Sequence, residues 1–413
     1  MRHFFGKKTG YLLAWLLLAC SVGVVWLLQS QQALNREPPL HSPASPTFTP
    51  SPVPQPTSKN TQMAGVWVPY MSLSGGSQEE FEANFKGIAD SAKEKGLTAL
   101  FVHVRPFCDA LYPSKQYPWS HLLTGKQGQD PGYDPLKFMV EYTHGLGLEF
   151  HAWINPLRVR TAETPGELAQ DNPYTVLGEE YPFYFMEWEG GVYLNPAYPY
   201  IRSLIADGAA EIVENYPVDG IHFDDYFYPA QDAGLDEEAY QLHVETVQTP
   251  LELEEWRSAN INAMMALVYE KVKAVREDVA FGVSPQGNIA NDHEMGADVE
   301  AWCATSGYAD YVCPQIYYSF ENEGLDYTQA LEEWSKLYRH PNARLYVGLA
   351  LYKAGAGEED WAGGQVIGQQ ITAAREAACN GIILYSSAYL DTEQTQEEVR
   401  NAVEVLAKPK GGG

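Results

Sequence analysis

Cysteine is scarce in this chain: five residues in 413, none in a CxxC spacing. Cys108, Cys303, Cys313 and Cys379 are scattered, which excludes a zinc ribbon and a dense disulfide framework. Cys303 and Cys313 could bridge in an exported protein, but isolated buried thiols are the simpler expectation. Positive charge is also in short supply, with 27 Lys and Arg against 54 Asp and Glu and a formal charge of −27. Such a surface repels phosphate backbones, so no nucleic-acid partner is expected. Neither HExxH nor a His-x-His on the first strand occurs, and no Gly-rich dinucleotide turn or P-loop follows that strand. No cofactor is expected.

The few cations are unevenly placed. Arg2, Lys7, Lys8, Arg36 and Lys59 face only Glu37 in residues 1–62, a local +4 that leaves −31 for residues 63–413. Arg2, Lys7 and Lys8 precede an uncharged apolar run from Tyr11 to Leu28, 18 residues long and near the minimum for a bilayer span. Positive charge ahead of the run keeps the N-terminus inside and exports the rest of the chain. Residues 1–34 therefore read as an anchor in the cytoplasmic membrane, with a cleaved signal or a lipidation site at Cys20 as the competing reading. Residues 35–62 hold eight prolines between Pro38 and Pro56, interleaved with Ser and Thr, a composition that forms an extended spacer and no core. Residues 63–413 contain no second linker and are expected to form one large domain on the extracellular side.

Within that domain, apolar runs alternate with amphipathic stretches. Strands are predicted at 65–70, 99–106, 148–155, 220–226, 280–286, 311–317, 344–351 and 381–387. Helices are predicted at 79–95, 135–146, 198–216, 251–276, 328–338, 365–378 and 393–406, with a short one at 294–306. Eight strand–helix repeats match an α/β fold, a single (β/α)8 TIM barrel with long βα loops.

Chemistry in such a barrel sits where strands end. Side-chain alternation points His103 and Arg105, His151, Trp153 and Asn155, and His222 and Asp224 towards the axis. Ser284, Gln286, Gln315, Tyr317, Tyr385 and Ser387 follow from later strands. A glycosidase needs a proton donor and a second carboxylate or substrate group to stabilise an oxocarbenium-like centre. Asp224 and Asp225 are the candidate catalytic acids, since adjacent carboxylates raise one pKa by repulsion. Trp153, Tyr226, Phe227, Tyr228 and Tyr317 offer stacking surface for sugar rings. The seventh strand ends in Leu-Tyr-Lys and carries no acid, which disfavours a retaining pair on strands four and seven. The second acid is then Asp225 or a loop residue among Asp109, Glu187, Glu189, Asp292, Glu294 and Glu321. Either an inverting mechanism or a substrate-assisted one, with the acetamido group of the sugar as nucleophile, satisfies this pattern. A metal-dependent hydrolase or deacetylase using His103, His151, His222 and Asp224 is a rival reading, and a non-catalytic glycan-binding barrel is another.

Four blocks carry a family resemblance: Gly65-Val-Trp-Val, His103-Val-Arg-Pro-Phe-Cys-Asp-Ala-Leu-Tyr-Pro-Ser, His151-Ala-Trp-Ile-Asn-Pro-Leu-Arg and Val218-Asp-Gly-Ile-His-Phe-Asp-Asp-Tyr-Phe-Tyr-Pro. In this order they resemble the glycosyl hydrolase-like 10 family across most of residues 63–390. The resemblance implies a (β/α)8 barrel acting on polysaccharide, and a divisome-associated bacterial member cleaves peptidoglycan strands stripped of peptides. It implies Asp224 and Asp225 as the catalytic block. It also implies that His103, Arg105, His151, Asn155 and His222 belong to the site, and Asp109 lies within the second block. A fainter likeness to chitinase-type barrels lies in Asp219-Gly-Ile-His-Phe-Asp and Gln315-Ile-Tyr-Tyr. There the position two after Asp224, which would hold a catalytic Glu, is Tyr226.

Overall fold

A computed structural model describes residues 62–73, 75–224 and 227–408, all within one unit that spans 46–413. The apolar run, most of the spacer, Asp225 and Tyr226 lie outside the described residues. Among the described residues no helix is long and apolar enough to cross a membrane.

Eight parallel strands close into a barrel. In chain order the strands are β1 (Met63–Val68), β2 (Ala99–Arg105), β3 (Glu149–Ile154), β4 (Arg158–Arg160), β5 (Phe185–Trp188), β6 (Gly191–Leu194), β7 (Gly220–Phe223), β8 (Ala280–Val283), β9 (Tyr311–Val312), β10 (Arg344–Leu349) and β11 (Gly381–Leu384). The barrel order is β1-β11-β10-β9-β8-β7-β3-β2, and β4-β6-β5 form a separate antiparallel sheet in the loop after β3. All eight predicted barrel strands are present. The three-stranded sheet and the helix Glu237–Thr246 went unpredicted. The sheet had one legible signal, the Glu189-Gly190 pair between two short apolar runs, a two-residue hairpin connection.

Each helix has a local reason to start. Ser77 accepts a hydrogen bond from the Glu80 backbone N–H and opens Gln78–Glu94, whose Phe81, Phe85, Ala89 and Ala92 form one buried stripe. Asp134 caps Pro135–Gly145, with proline in the first turn where its missing N–H costs nothing. The long pair Pro199–Asn215 and Leu253–Val275 pack on each other outside the barrel.

Alternation divides the strand residues as expected. Leu100, Val102 and Val104, Phe150, Ala152 and Ile154, and Ile221 and Phe223 join the core beneath the helices. Trp67, Phe101, Trp153, Tyr311, Cys313, Tyr346 and Ile383 fill the barrel interior. Arg105 departs from this parity. A β-bulge between His103 and Arg105 sets Arg105 opposite Ile154, which faces outward. The guanidinium carbon lies 4.3 Å from the Tyr117 ring centroid, beneath the helix Pro199–Asn215. Arg105 is thus a core residue between barrel and helix, correcting its expected place in the pocket.

Rings crowd the axis, and glycines on the neighbouring strands make room for them. A Cβ at Gly282 would lie 2.0 Å from the Tyr311 ring, and one at Gly220 would lie 2.2 Å from His151 Nδ1. Overpacking of this kind costs about 1–3 kcal/mol. Gly282→Ala is expected to lower the unfolding free energy by at least ~2 kcal/mol, measured by urea denaturation. An unchanged midpoint would mean that the interior is loosely packed.

Candidate active site

The barrel axis carries a chain of side-chain hydrogen bonds. Trp67 Nε1 donates to His222 Nε2 at 3.0 Å, and His222 Nδ1 and Tyr311 Oη are 3.0 Å apart. His151 Nδ1 lies 3.2 Å from the same hydroxyl, and His151 Nε2 lies 3.4 Å from Glu149 Oε2. An indole N–H only donates, so His222 Nε2 must accept and its proton sits on Nδ1. That proton goes to Tyr311, whose own proton then points to His151 Nδ1, leaving His151 Nε2–H for Glu149. Burial, with His151 nearby, holds the His222 pKa well below the usual histidine range and keeps the ring neutral. His151 and His222 are consequently committed inside the packed barrel, below the mouth where substrate was expected to meet them. The reason is depth: both lie before the last inward position of their strands. Among the described residues no three His, Cys, Asp or Glu side chains gather as a metal-ligand set.

Above this plug, at the C-terminal strand ends, the remaining candidates converge. Asp224 follows β7 and is 9% exposed, and its Oδ1 accepts from Gln315 Nε2 at 2.8 Å. Gln315 is itself tied between Gln286 and Gly348 by backbone bridges. Gln286 is held in turn by its backbone N–H, which donates to Asp292 Oδ1 at 2.8 Å. Asp292 is 1% exposed, and burial pushes its carboxyl well above the ordinary range. The Gln286 side chain turns to Asn291, so its role is to support Gln315 from behind.

One wall of the mouth is aromatic. Tyr385 lies 5.8 Å from Tyr317 and 5.9 Å from Tyr352 between ring centroids, and 6.1 Å from Trp67. Burial and then the negative charge of Asp224 raise the Tyr385 phenol to about 12, so it remains a hydrogen-bond donor at neutral pH. Lys353 donates to the Tyr317 carbonyl at 2.9 Å and sits over the Tyr352 and Trp361 rings. Sequence reasoning missed Tyr352 and Lys353, although they are the Leu-Tyr-Lys ending set aside for lacking an acid.

The opposite wall is a stacked pair. The His103 and Trp153 rings lie 3.8 Å apart and nearly parallel at 9°. The Asn155 side chain lies within hydrogen-bonding reach of His103, and Trp153 Nε1 and Ser284 Oγ are buried without a protein partner. Burial, then the positive charge of Arg158, hold His103 well below its usual pKa and neutral. The wall therefore presents neutral donors and acceptors in a protected setting, the chemistry that pairs with hydroxyl and acetamido groups.

Other candidates lie elsewhere. Asp109 is fully buried in the loop after β2, where His121 and Gln127 bind its Oδ2 at 3.3 and 3.1 Å. It organises that loop. Phe227 packs on Trp302 and Tyr228 on Arg257, both in the core and away from the mouth, correcting their expected stacking role. Glu294 is exposed at the end of the helix Ile289–Glu294 and Glu321 in a turn, while Glu187 lies on β5 and Glu189 in the turn between β5 and β6. Cys303 and Cys313 are both buried thiols and are not joined by a disulfide.

A (β/α)8 barrel whose mouth sets an oriented carboxylate between aromatic walls has the architecture of a glycoside hydrolase. The comparisons agree: residues 62–362 match the glycosyl hydrolase-like 10 family, and the chain belongs to it. Glycosyl hydrolase YngK of Bacillus subtilis (strain 168) is 32% identical over 342 residues, 76% of this chain and 66% of that protein. Glycosyl hydrolase DigH of Escherichia coli (strain K12) is 33% identical over 341 residues, 75% of this chain and 76% of that one. Among solved structures, the glycoside hydrolase domain of PgaB (BpsB) from Bordetella bronchiseptica superposes with a TM-score of 0.56 at 12% identity, covering 83% of this chain and 98% of that domain. At that identity the likeness shows the fold alone.

The neutral histidines make stability depend on pH. In the unfolded chain a histidine protonates near ~6.5, whereas folded His103 and His222 stay neutral well below that value. The unfolded state binds more protons in this window, so stability is lost as pH falls below about 6.5, by up to ~1.4 kcal/mol per pH unit for each group. Urea denaturation at pH 7.5 and 5.5 should show the loss, and His103→Gln should reduce the difference by about 1 kcal/mol. A difference unchanged by that replacement would show that His103 is protonated in the fold.

Proposed function

We propose that this glycosyl hydrolase-like barrel cleaves glycosidic bonds in an N-acetylated cell-wall polysaccharide, with peptidoglycan glycan strands as the substrate. The observation that carries the reading is the Asp224 carboxylate, held by Gln315 between the Tyr385 wall and the His103–Trp153 stack. Its hydrogen bond from a neutral amide fixes the carboxylate without neutralising it. In the mechanism proposed, Asp224 orients the substrate acetamido group as internal nucleophile while Asp225, the next residue in the chain, protonates the leaving oxygen. The neutral polar side chains of this wall, His103, Trp153 and Asn155, suit a substrate rich in hydroxyl and amide groups, which a charged wall would hold less selectively.

The sequence ahead of the barrel supports its placement. Arg2, Lys7 and Lys8 followed by the Tyr11–Leu28 run, then the proline-rich spacer, suit tethering on the extracellular face of the cytoplasmic membrane. From there the barrel reaches glycan next to the bilayer.

Incubating the chain with purified, peptide-free glycan strands and analysing products by mass spectrometry tests this reading. Hydrolysis is expected to yield reducing ends, whereas anhydro ends would identify a lyase. Asp224→Asn should lower kcat by about 10²–10⁴ without changing the unfolding midpoint. Full activity in that variant would remove Asp224 from the mechanism, and no cleavage by the wild type would favour a glycan-binding barrel.

A further inference from the structure

We propose that Tyr70 is a substrate-binding residue of the mouth, a fixed hydroxyl that hydrogen-bonds the sugar held beside Asp224; it rests on the substrate class proposed above. The first barrel strand delivers it. β1 ends at Val68, at the same end of the barrel as Asp224, and the chain then turns at once. Ser72 donates its backbone N–H to the Pro69 carbonyl at 2.8 Å and Leu73 to the Tyr70 carbonyl at 2.9 Å, closing a short 3-10 turn over Tyr70–Ser72. Leu73 is buried, and the Asn84 side-chain amide donates to the Ser72 carbonyl at 2.7 Å, which ties the turn to the helix Gln78–Glu94. The backbone of Tyr70 is thereby set before any ligand arrives.

The Tyr70 ring meets His103 edge-on, with 5.5 Å between centroids and 67° between planes, and so joins the His103–Trp153 wall. It meets Phe107 in the same way at 5.3 Å. Across the mouth, the Tyr385 phenol is raised by burial and by Asp224, and then also by Tyr352 and Tyr70. A charge acts in this way only at short range, so the Tyr70 oxygen lies towards Tyr385 and Asp224. Tyr70 therefore stands between the two walls. Its packing on His103 and Phe107 employs the ring alone. The hydroxyl has no hydrogen-bond partner among the described residues, and the side chain is only half-buried, so the oxygen is open to a ligand. A phenol both donates and accepts, which suits a sugar hydroxyl or an acetamido oxygen, and a ring already fixed loses little freedom on binding.

Tyr70→Phe removes the oxygen and keeps every ring contact, so its unfolding midpoint is expected to equal that of the parent chain. The binding test uses the full chain carrying Asp224→Asn, so that ligand is not consumed, with chitohexaose as the probe in titration calorimetry. Adding Tyr70→Phe is expected to weaken binding about threefold to tenfold, the size of one neutral hydrogen bond. Tyr70→Ala, which also removes the ring, should weaken it further. Equal chitohexaose affinity with and without the hydroxyl, or no chitohexaose binding at all, overturns the proposal. A midpoint lowered by Tyr70→Phe also overturns it, because the hydroxyl would then serve the fold. The catalytic reading is judged separately by cleavage of peptide-free strands by the wild type. A barrel that binds through Tyr70 but cleaves nothing would keep this contact and lose the hydrolase.

Discussion

Everything at the mouth of this barrel stands on the hydrogen-bonded column of rings beneath it. Trp67, His222, Tyr311 and His151 form one directional chain ending at Glu149, and each donor in it has one acceptor. Such a network fixes ring orientation as well as position, because rotating any member leaves a buried polar atom unpaired. The column fits because Gly220 and Gly282 leave no side chain where His151 and Tyr311 lie. Large rings and absent side chains on alternating positions are one packing solution seen from two sides.

That plug decides which polar residues face the substrate. The same inward parity that brings His222 to the axis brings Asp224 to the rim two residues later. The deeper residue is structural and the shallower one meets solvent. Support for Asp224 then runs laterally through Gln315 to Gln286 and Asp292, along neighbouring strand ends. This arrangement suits a site that must hold one carboxylate steady while the sugar moves past it, since positioning by a rigid scaffold limits misalignment at the reacting atoms.

Much of this was legible beforehand. The eight strands announced themselves as apolar runs between amphipathic helices, and alternation separated His103, Trp153 and Asp224 from their outward neighbours. Arg105 was misread because a bulge changes parity without leaving a mark in the residue pattern. His151 was misread for another reason: alternation gives the face of a strand but not the height along the axis, which the register with neighbouring strands sets. Tyr352 and Lys353 escaped notice because their part comes from ring packing and a bond to a carbonyl, which involves residues distant in the chain.

By itself the sequence determined the barrel class, the acidic domain behind a cationic and proline-rich leader, and a family-specific carboxylate block after the fourth barrel strand. Those are properties of composition, periodicity and local motif, and they are stored along the chain. Only the tertiary structure decided that two of the three inward histidines serve the core, that Gln315 holds Asp224, and that Tyr70 stands between the two walls of the mouth. Depth, register and contact between distant strands set those outcomes, and closure of the barrel establishes all three together.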